Sequence, residues 1–253
     1  MGRFYFFILS IIMALMTLSI KNLSNISATQ AAFYRASTCV MIAVYFLKKK
    51  GAPVYPVNND LAMKTCHMIM ILGSAQYLMY FITVELLPIS KVQVLFQSSS
   101  LWLPILGNII LGQKLSYKAI ILCPVSFFGL VLIVDPSMLG ISVSNSVSEI
   151  YDFSYYFGCF LGAASGILIA LKRVFTIHGM KEIDTWHNLF YFSLGGSIFA
   201  TFCNIYFGFN SMITLWDAYL VIQITAFGVF WHGGMVYFLR LESNANITGI
   251  ISN

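Results

Sequence analysis

In a chain of 253 residues, 59% are apolar and only 9% are charged, with a net charge of +5. Soluble domains carry about 25% charged residues, so a water-exposed globule, and with it a soluble enzyme, is excluded; lipid has to solvate most of the exterior. The basic excess is no nucleic-acid signal, because Lys and Arg sit in short clusters between apolar runs, and the five cysteines (Cys39, Cys66, Cys123, Cys159, Cys203) stand singly without a C-x-x-C pair.

A membrane span takes roughly 20 mostly apolar residues. The runs 4–21, 31–47, 61–83, 87–111, 117–134, 154–171, 187–208 and 218–239 meet that requirement. They predict an all-α, polytopic transmembrane helical bundle with about eight to nine spans. The first run is a span and not a signal peptide, since Lys21 and Asn22 follow it where a small-residue cleavage site would stand. Asn22-Leu23-Ser24 and Asn25-Ile26-Ser27 then match glycosylation acceptors, in a short loop close to the membrane. With the N-terminus in the cytoplasm, the cytoplasmic segments receive Arg3, Lys48, Lys49, Lys50, Lys64, Lys114, Lys118, Lys172, Arg173, Lys181 and Arg240. The other side receives only Lys21, Arg35 and Lys91, the bias the positive-inside rule expects.

Polar groups inside a bilayer are expensive and are functional candidates by default. In the second run, Arg35 lies beside Tyr34 near the outer end; it could pair with Glu85, bind an anion bidentately, or anchor at the interface. In the third, Gln76, Tyr77 and Tyr80 offer either a stacking surface for a planar ligand or an aromatic belt. The fourth is the richest, with Lys91, Gln93, Gln97, Ser98, Ser99 and Ser100. Gln93, Gln97 and Ser100 share one helical face, and Lys91 and Ser98 lie roughly opposite. One reading makes this a substrate site, with Lys91 as the charge and the Gln and Ser groups as hydrogen-bond partners. The other has Lys91 snorkelling to the interface and the hydroxyls bonding back to their own helix. In the sixth run, Gly158, Gly162, Gly166 and Ala170 recur every four residues, a stripe for close helix packing within the chain or at a dimer seam. His67, Asn204, Gln223 and His232 are scattered through other runs and read as interhelical hydrogen-bond partners. No catalytic, metal-binding or phosphate-cradling motif is present, so neither an enzyme nor a cofactor is expected.

The chain also repeats. A shift of 157 residues brings Phe33-Tyr34 onto Phe190-Tyr191, Tyr80-Phe81 onto Tyr237-Phe238 and Glu85 onto Glu242; a shift of 151 brings Tyr5-Phe6 onto Tyr156-Phe157 and Lys21 onto Lys172. Two halves of five spans each follow: 1–135 as the first repeat, 136–152 as a connecting loop with Asp152 and no Lys or Arg, and 153–253 as an incomplete second repeat. An odd span count per half inverts the second half, the architecture of many secondary transporters. The repeat places residue 253 at the start of a ninth span, so the sequence reads either as a fragment or as a protein without its last two helices.

Residues 78–136 resemble the third-to-fifth-span region of the drug/metabolite transporter superfamily, in its EamA-like and solute-carrier-35-like branch. An aromatic-rich helix, a short polar turn and a polar fourth helix lead to the loop Gly112-Gln113-Lys114-Leu115-Ser116; a fifth helix with Gly129 ends at Asp135-Pro136. Many members have Glu where Gln113 stands. Residues 31–47, with Arg35, resemble the family's second span. The resemblance implies ten helices around a central site that exports or exchanges small metabolites, with the ninth span helping to line it.

Two functions are expected. One is a solute carrier exchanging or exporting a small metabolite by alternating access, an anionic one favoured by Lys91 and Arg35; its candidate substrate-binding residues are Lys91, Gln93, Gln97, Ser100, Arg35, Tyr34, Tyr77 and Tyr80. The other is a non-transporting structural subunit of a larger membrane assembly derived from such a carrier. Membrane lipids, a small-molecule solute, and a homodimer or larger complex are the expected partners, with no nucleic acid. An organelle membrane and the plasma membrane both fit.

Overall fold

The computed structural model describes residues 2–55, 60–112, 117–134, 153–179, 182–210 and 212–244. They form α1 (Gly2–Lys21), α2 (Ala28–Lys49), α3 (Asp60–Leu86), α4 (Ile89–Gln97), α5 (Ser99–Leu111), α6 (Tyr117–Val134), α7 (Phe153–Gly179), α8 (Thr185–Phe207) and α9 (Leu215–Asn244). The fold is all-helical among the described residues. The loop 136–152, residues 113–116 of the small-loop motif, and the start of the expected ninth span lie outside them.

Local chemistry sets the helix ends. Ser27 caps α2 by accepting the Gln30 N–H, and Asp184 caps α8 by accepting the Trp186 N–H. Gly112 closes α5 in the left-handed region, at φ 64°. α4 and α5 are one span, Ile89–Leu111, broken at Ser98. The Ser98 hydroxyl donates back to the Leu95 carbonyl at 2.6 Å, and Pro104 offers no N–H to the turn behind it.

Six rods are long and apolar enough to cross a bilayer: α2, α3, α4 with α5, α7, α8 and α9. The apolar parts of α1 and α6, Phe7–Lys21 and Ile120–Leu130, are shorter. Large apolar side chains cover the outside: Phe160 is 67% exposed, Ile205 75% and Phe230 67%. Only lipid tolerates such a surface without penalty, and the protein is an integral, multi-pass membrane protein.

Inside, α3 packs along α7 and α8, α2 along α8, and α1 along α9. Exchanging α1 with α7, α2 with α8 and α3 with α9 maps α3–α7 onto α9–α1, α3–α8 onto α9–α2, and α2–α8 onto itself. The glycine stripe of α7 is occupied within the chain: a Cβ on Gly158 would press on Leu87, on Gly162 on Leu95, and on Gly166 on the Ser98 hydroxyl. α7 differs from its expected extent. The run 154–171 continues to Gly179 and carries Lys172 and Arg173, expected in a cytoplasmic loop, into the bundle, where they are 5% and 9% exposed.

Polar clamps close both ends. At the outer end the Asp217 carboxylate accepts the Ser24 N–H at 3.0 Å, the Asn25 side-chain amide at 3.2 Å and the Thr214 hydroxyl at 2.7 Å, tying the α1–α2 loop to the start of α9. Lys21 donates to the carbonyls of Val84, Glu85 and Leu87, covering the end of α3. At the inner end, which carries Lys48 to Lys50, Lys50 pairs with Asp184 at 2.7 Å.

Candidate functional site

The centre of the bundle gathers cations and rings. Arg35 enters from α2 and is 3% exposed; its Cζ lies 4.9 Å from the centroid of Tyr77 on α3 and 6.0 Å from that of Phe81. Gly228 on α9 leaves the space the guanidinium fills, since a Cβ there would fall onto it. From the opposite side Lys172, on α7, holds its Nζ 4.3 Å from the centroid of Phe192 on α8. Beside it Arg173 donates from Nη1 to the Ser99 hydroxyl at 3.3 Å. The Phe192 ring lies 4.0 Å from the His232 ring and 5.5 Å from the Tyr77 ring, centroid to centroid.

These side chains line two narrow cavities that share Trp231 and His232. The inner one is bounded by Lys172, Arg173, Thr176 and Asn188; the outer one by Arg35, Gln76, Tyr77, Tyr80, Phe96 and Phe192. Asn188 donates to the Thr176 hydroxyl at 3.4 Å, so amide and hydroxyl groups stand beside the two inner cations.

The electrostatics are one-sided. Arg35, Lys172 and Arg173 are buried, and among the described residues the buried carboxylate is Asp217, which Ser24, Asn25 and Thr214 satisfy at the outer end. The ion pair among those residues, Lys50–Asp184, lies on the surface. Two adjacent buried cations with no carboxylate beside them among the described residues are costly.

The sequence candidates divide. Arg35, Tyr77 and Tyr80 meet at the outer cavity, and Gln76 lines it with them. Gln93 lies close by, donating to the hydroxyl of Thr17, which also bonds the Tyr80 hydroxyl at 2.6 Å. Lys91 stands apart, its Nζ bonded to the Tyr155 hydroxyl at 2.7 Å and over the Tyr155 ring. Gln97 and Ser100 are exposed on the outside of the broken span, and the Ser100 hydroxyl donates to the Gln97 carbonyl at 2.8 Å. Tyr34 is half-buried against Phe209, with its hydroxyl 3.3 Å from the Gln30 amide. Arg35 faces rings and does not pair with Glu85, which is exposed. Among the scattered polar residues, Gln223 accepts the Ser19 hydroxyl and His67 is exposed, while His232 stands in the cavity wall. Lys172, Arg173, Phe192 and Trp231 were not anticipated. The available signal was Val174-Phe175-Thr176-Ile177, an apolar continuation after Lys172-Arg173 where a loop would turn polar.

No curated protein matches the sequence. Ten solved chains match it. One crystal structure among them aligns over 94% of this chain and 80% of its own, with a TM-score of 0.62 at 13% identity, a likeness of fold. The EamA-like transporter family model matches residues 1–135, more than half of the 253 residues. The chain belongs to the EamA-like transporter family of the drug/metabolite transporter superfamily.

Proposed function

We propose that the protein is a solute carrier that exchanges or exports a small anionic metabolite by alternating access. The observation that carries this reading is the group of three buried cations, Arg35, Lys172 and Arg173, with no carboxylate among them in the described bundle. Arg35 sits toward the outer end and the Lys172–Arg173 pair toward the inner end, so an anion meets a cation from either side. The exchange of α1–α3 with α7–α9 maps the main helix pairings onto one another, which supports two repeats; the odd number of spans expected in each inverts the second, and such repeats rock against each other. In this reading residues 1–135 and 153–253 are the two repeats, joined through 136–152.

The test is counterflow in proteoliposomes with a panel of labelled carboxylates, phosphates and phosphate esters. Arg35→Gln and Arg173→Gln each remove a charge-assisted contact, expected to lower transport of the accepted anion about 10- to 100-fold. Lys91→Ala, away from the two cavities, is expected to stay within about threefold of the parent. Transport at the parent's level in both Arg35→Gln and Arg173→Gln, or a preference for cations, overturns the anion reading.

The exposed amide and hydroxyl of Gln97 and Ser100 favour a second reading, a non-transporting subunit whose partner covers that face. It predicts a fixed-stoichiometry complex in mild detergent; a particle of one or two chains with transport activity excludes it.

A further inference from the structure

The two cavities abut, with Trp231 and His232 lining both. Phe192 lines the outer one and Lys172 the inner one, and Nζ of Lys172 lies 4.3 Å behind the centroid of the ring. The ring is 3% exposed and also contacts the rings of His232 and Tyr77. On its remaining side it presses on the backbone of α3, where Gly73 leaves room: a Cβ there would come within 2.5 Å of Phe192 Cδ2. The Lys172 ammonium, without a hydrogen bond or ion pair among the described residues, lies against the ring.

We propose that Phe192 is the barrier between the outer and inner cavities, and that the Lys172 ammonium is the positioning group that holds this ring shut. A cation over a ring face is attracted by the ring quadrupole, most strongly when water is excluded. An anion in the inner cavity competes for the same ammonium, and Nζ cannot serve both partners at full strength. Occupancy of the inner cavity therefore loosens the ring, which couples the presence of the cargo to the opening of its path. The inference rests on the carrier reading only for what passes; the barrier itself is testable without a substrate.

The reporter is Thr176→Cys, on the inner-cavity wall, in a full-length chain whose five cysteines are replaced by serine. It is reconstituted in proteoliposomes and labelled with the membrane-impermeant reagent methanethiosulfonate ethylsulfonate from one face at a time. Labelling from the outer face is expected to be slow in the reporter alone and about tenfold faster or more with Phe192→Ala or Lys172→Met, while Phe192→Tyr, which keeps the ring, stays slow. Inorganic phosphate or citrate at the inner face is expected to speed outer labelling of the reporter, and to add nothing in Lys172→Met. Unchanged outer labelling in Lys172→Met overturns the latch even where Phe192→Ala fails to insert, and unchanged labelling in Phe192→Ala overturns the barrier. No acceleration by either anion overturns the coupling. A leaky Phe192→Ala in a protein that transports no anion would leave the barrier standing and sink the carrier reading, so the two failures are distinguishable.

Discussion

Replacing Lys172 by methionine separates a lysine that works from one that holds the fold. Its Nζ lies 4.3 Å from the Phe192 ring, and its side chain is 5% exposed. Methionine keeps most of the stem that packs against Gly73. Two effects oppose. Exchanging an uncompensated buried cation for an apolar side chain stabilises by about 1–4 kcal/mol. Losing a desolvated cation–π contact costs about 2 kcal/mol. The net lies between roughly −1 and +2 kcal/mol of added stability. A lysine in a structural ion pair would instead lose about 3–5 kcal/mol on substitution. Each kcal/mol moves the midpoint of a chain this size by about 2–4 °C, so the two cases differ by roughly 10 °C. Thermal unfolding in a single detergent, with counterflow on the same preparation, reads both quantities. The expected result is a midpoint unchanged or a few degrees higher, with anion transport down about 10- to 100-fold. A midpoint about 8 °C lower with transport retained would refute the reasoning and make Lys172 a structural residue.

Three further predictions follow from named contacts. Asp217→Ala strips the acceptor from the Ser24 N–H, the Asn25 amide and the Thr214 hydroxyl, and is expected to destabilise by about 3 kcal/mol, with Asp217→Asn losing less, in detergent melts. Gly166→Ala pushes a Cβ onto the Ser98 hydroxyl and to 3.0 Å from the Leu95 carbonyl oxygen, expected to cost about 1–3 kcal/mol, whereas Gly233→Ala, with nothing within 4 Å, is expected to be neutral in the same melts. Gly228→Ala forces the buried Arg35 guanidinium aside, so KM for the accepted anion is expected to rise about tenfold while the melting midpoint stays within about 2 °C of the parent.

The spans were legible because a twenty-residue apolar run has few other uses; all eight expected runs coincide with helices among the described residues, six of them long and apolar enough to cross a bilayer. Arg35, Tyr77 and Tyr80 were legible as candidates because a charge and two rings within spans are conspicuous. The face of the fourth span was not. A period of 3.6 says that Gln93, Gln97 and Ser100 share a side, but the span breaks at Ser98 and only Gln93 turns toward Thr17. Which side faces inward is decided by α3 and α7, not by the period. Lys172 and Arg173 were hidden for the opposite reason. A basic pair after an apolar run is what a cytoplasmic loop looks like, and only the packing of Phe192, Ser99 and Trp231 around the pair shows that α7 continues.

The distribution of satisfied charge leads to a last expectation. Asp217 and Lys21 are fully engaged at the outer end, and Lys50 is paired with Asp184 at the inner end. The middle, with Arg35, Lys172 and Arg173, carries positive charge that the described residues leave uncompensated. A ligand that supplies the opposite charge binds the folded protein and not the unfolded one, so it stabilises by the logarithm of its saturation, about 2.7 kcal/mol at a hundred times its Kd. At about 2–4 °C per kcal/mol, that is a rise of roughly 5–10 °C. A thermal-shift screen of carboxylates, phosphates and phosphate esters on the purified chain is therefore expected to show such a rise for the anion that the proposed carrier accepts. The rise should vanish in Arg173→Gln. A screen in which cations or neutral solutes give the larger rise, or in which Arg173→Gln responds like the parent, would place the anion elsewhere and leave the three buried cations without a function.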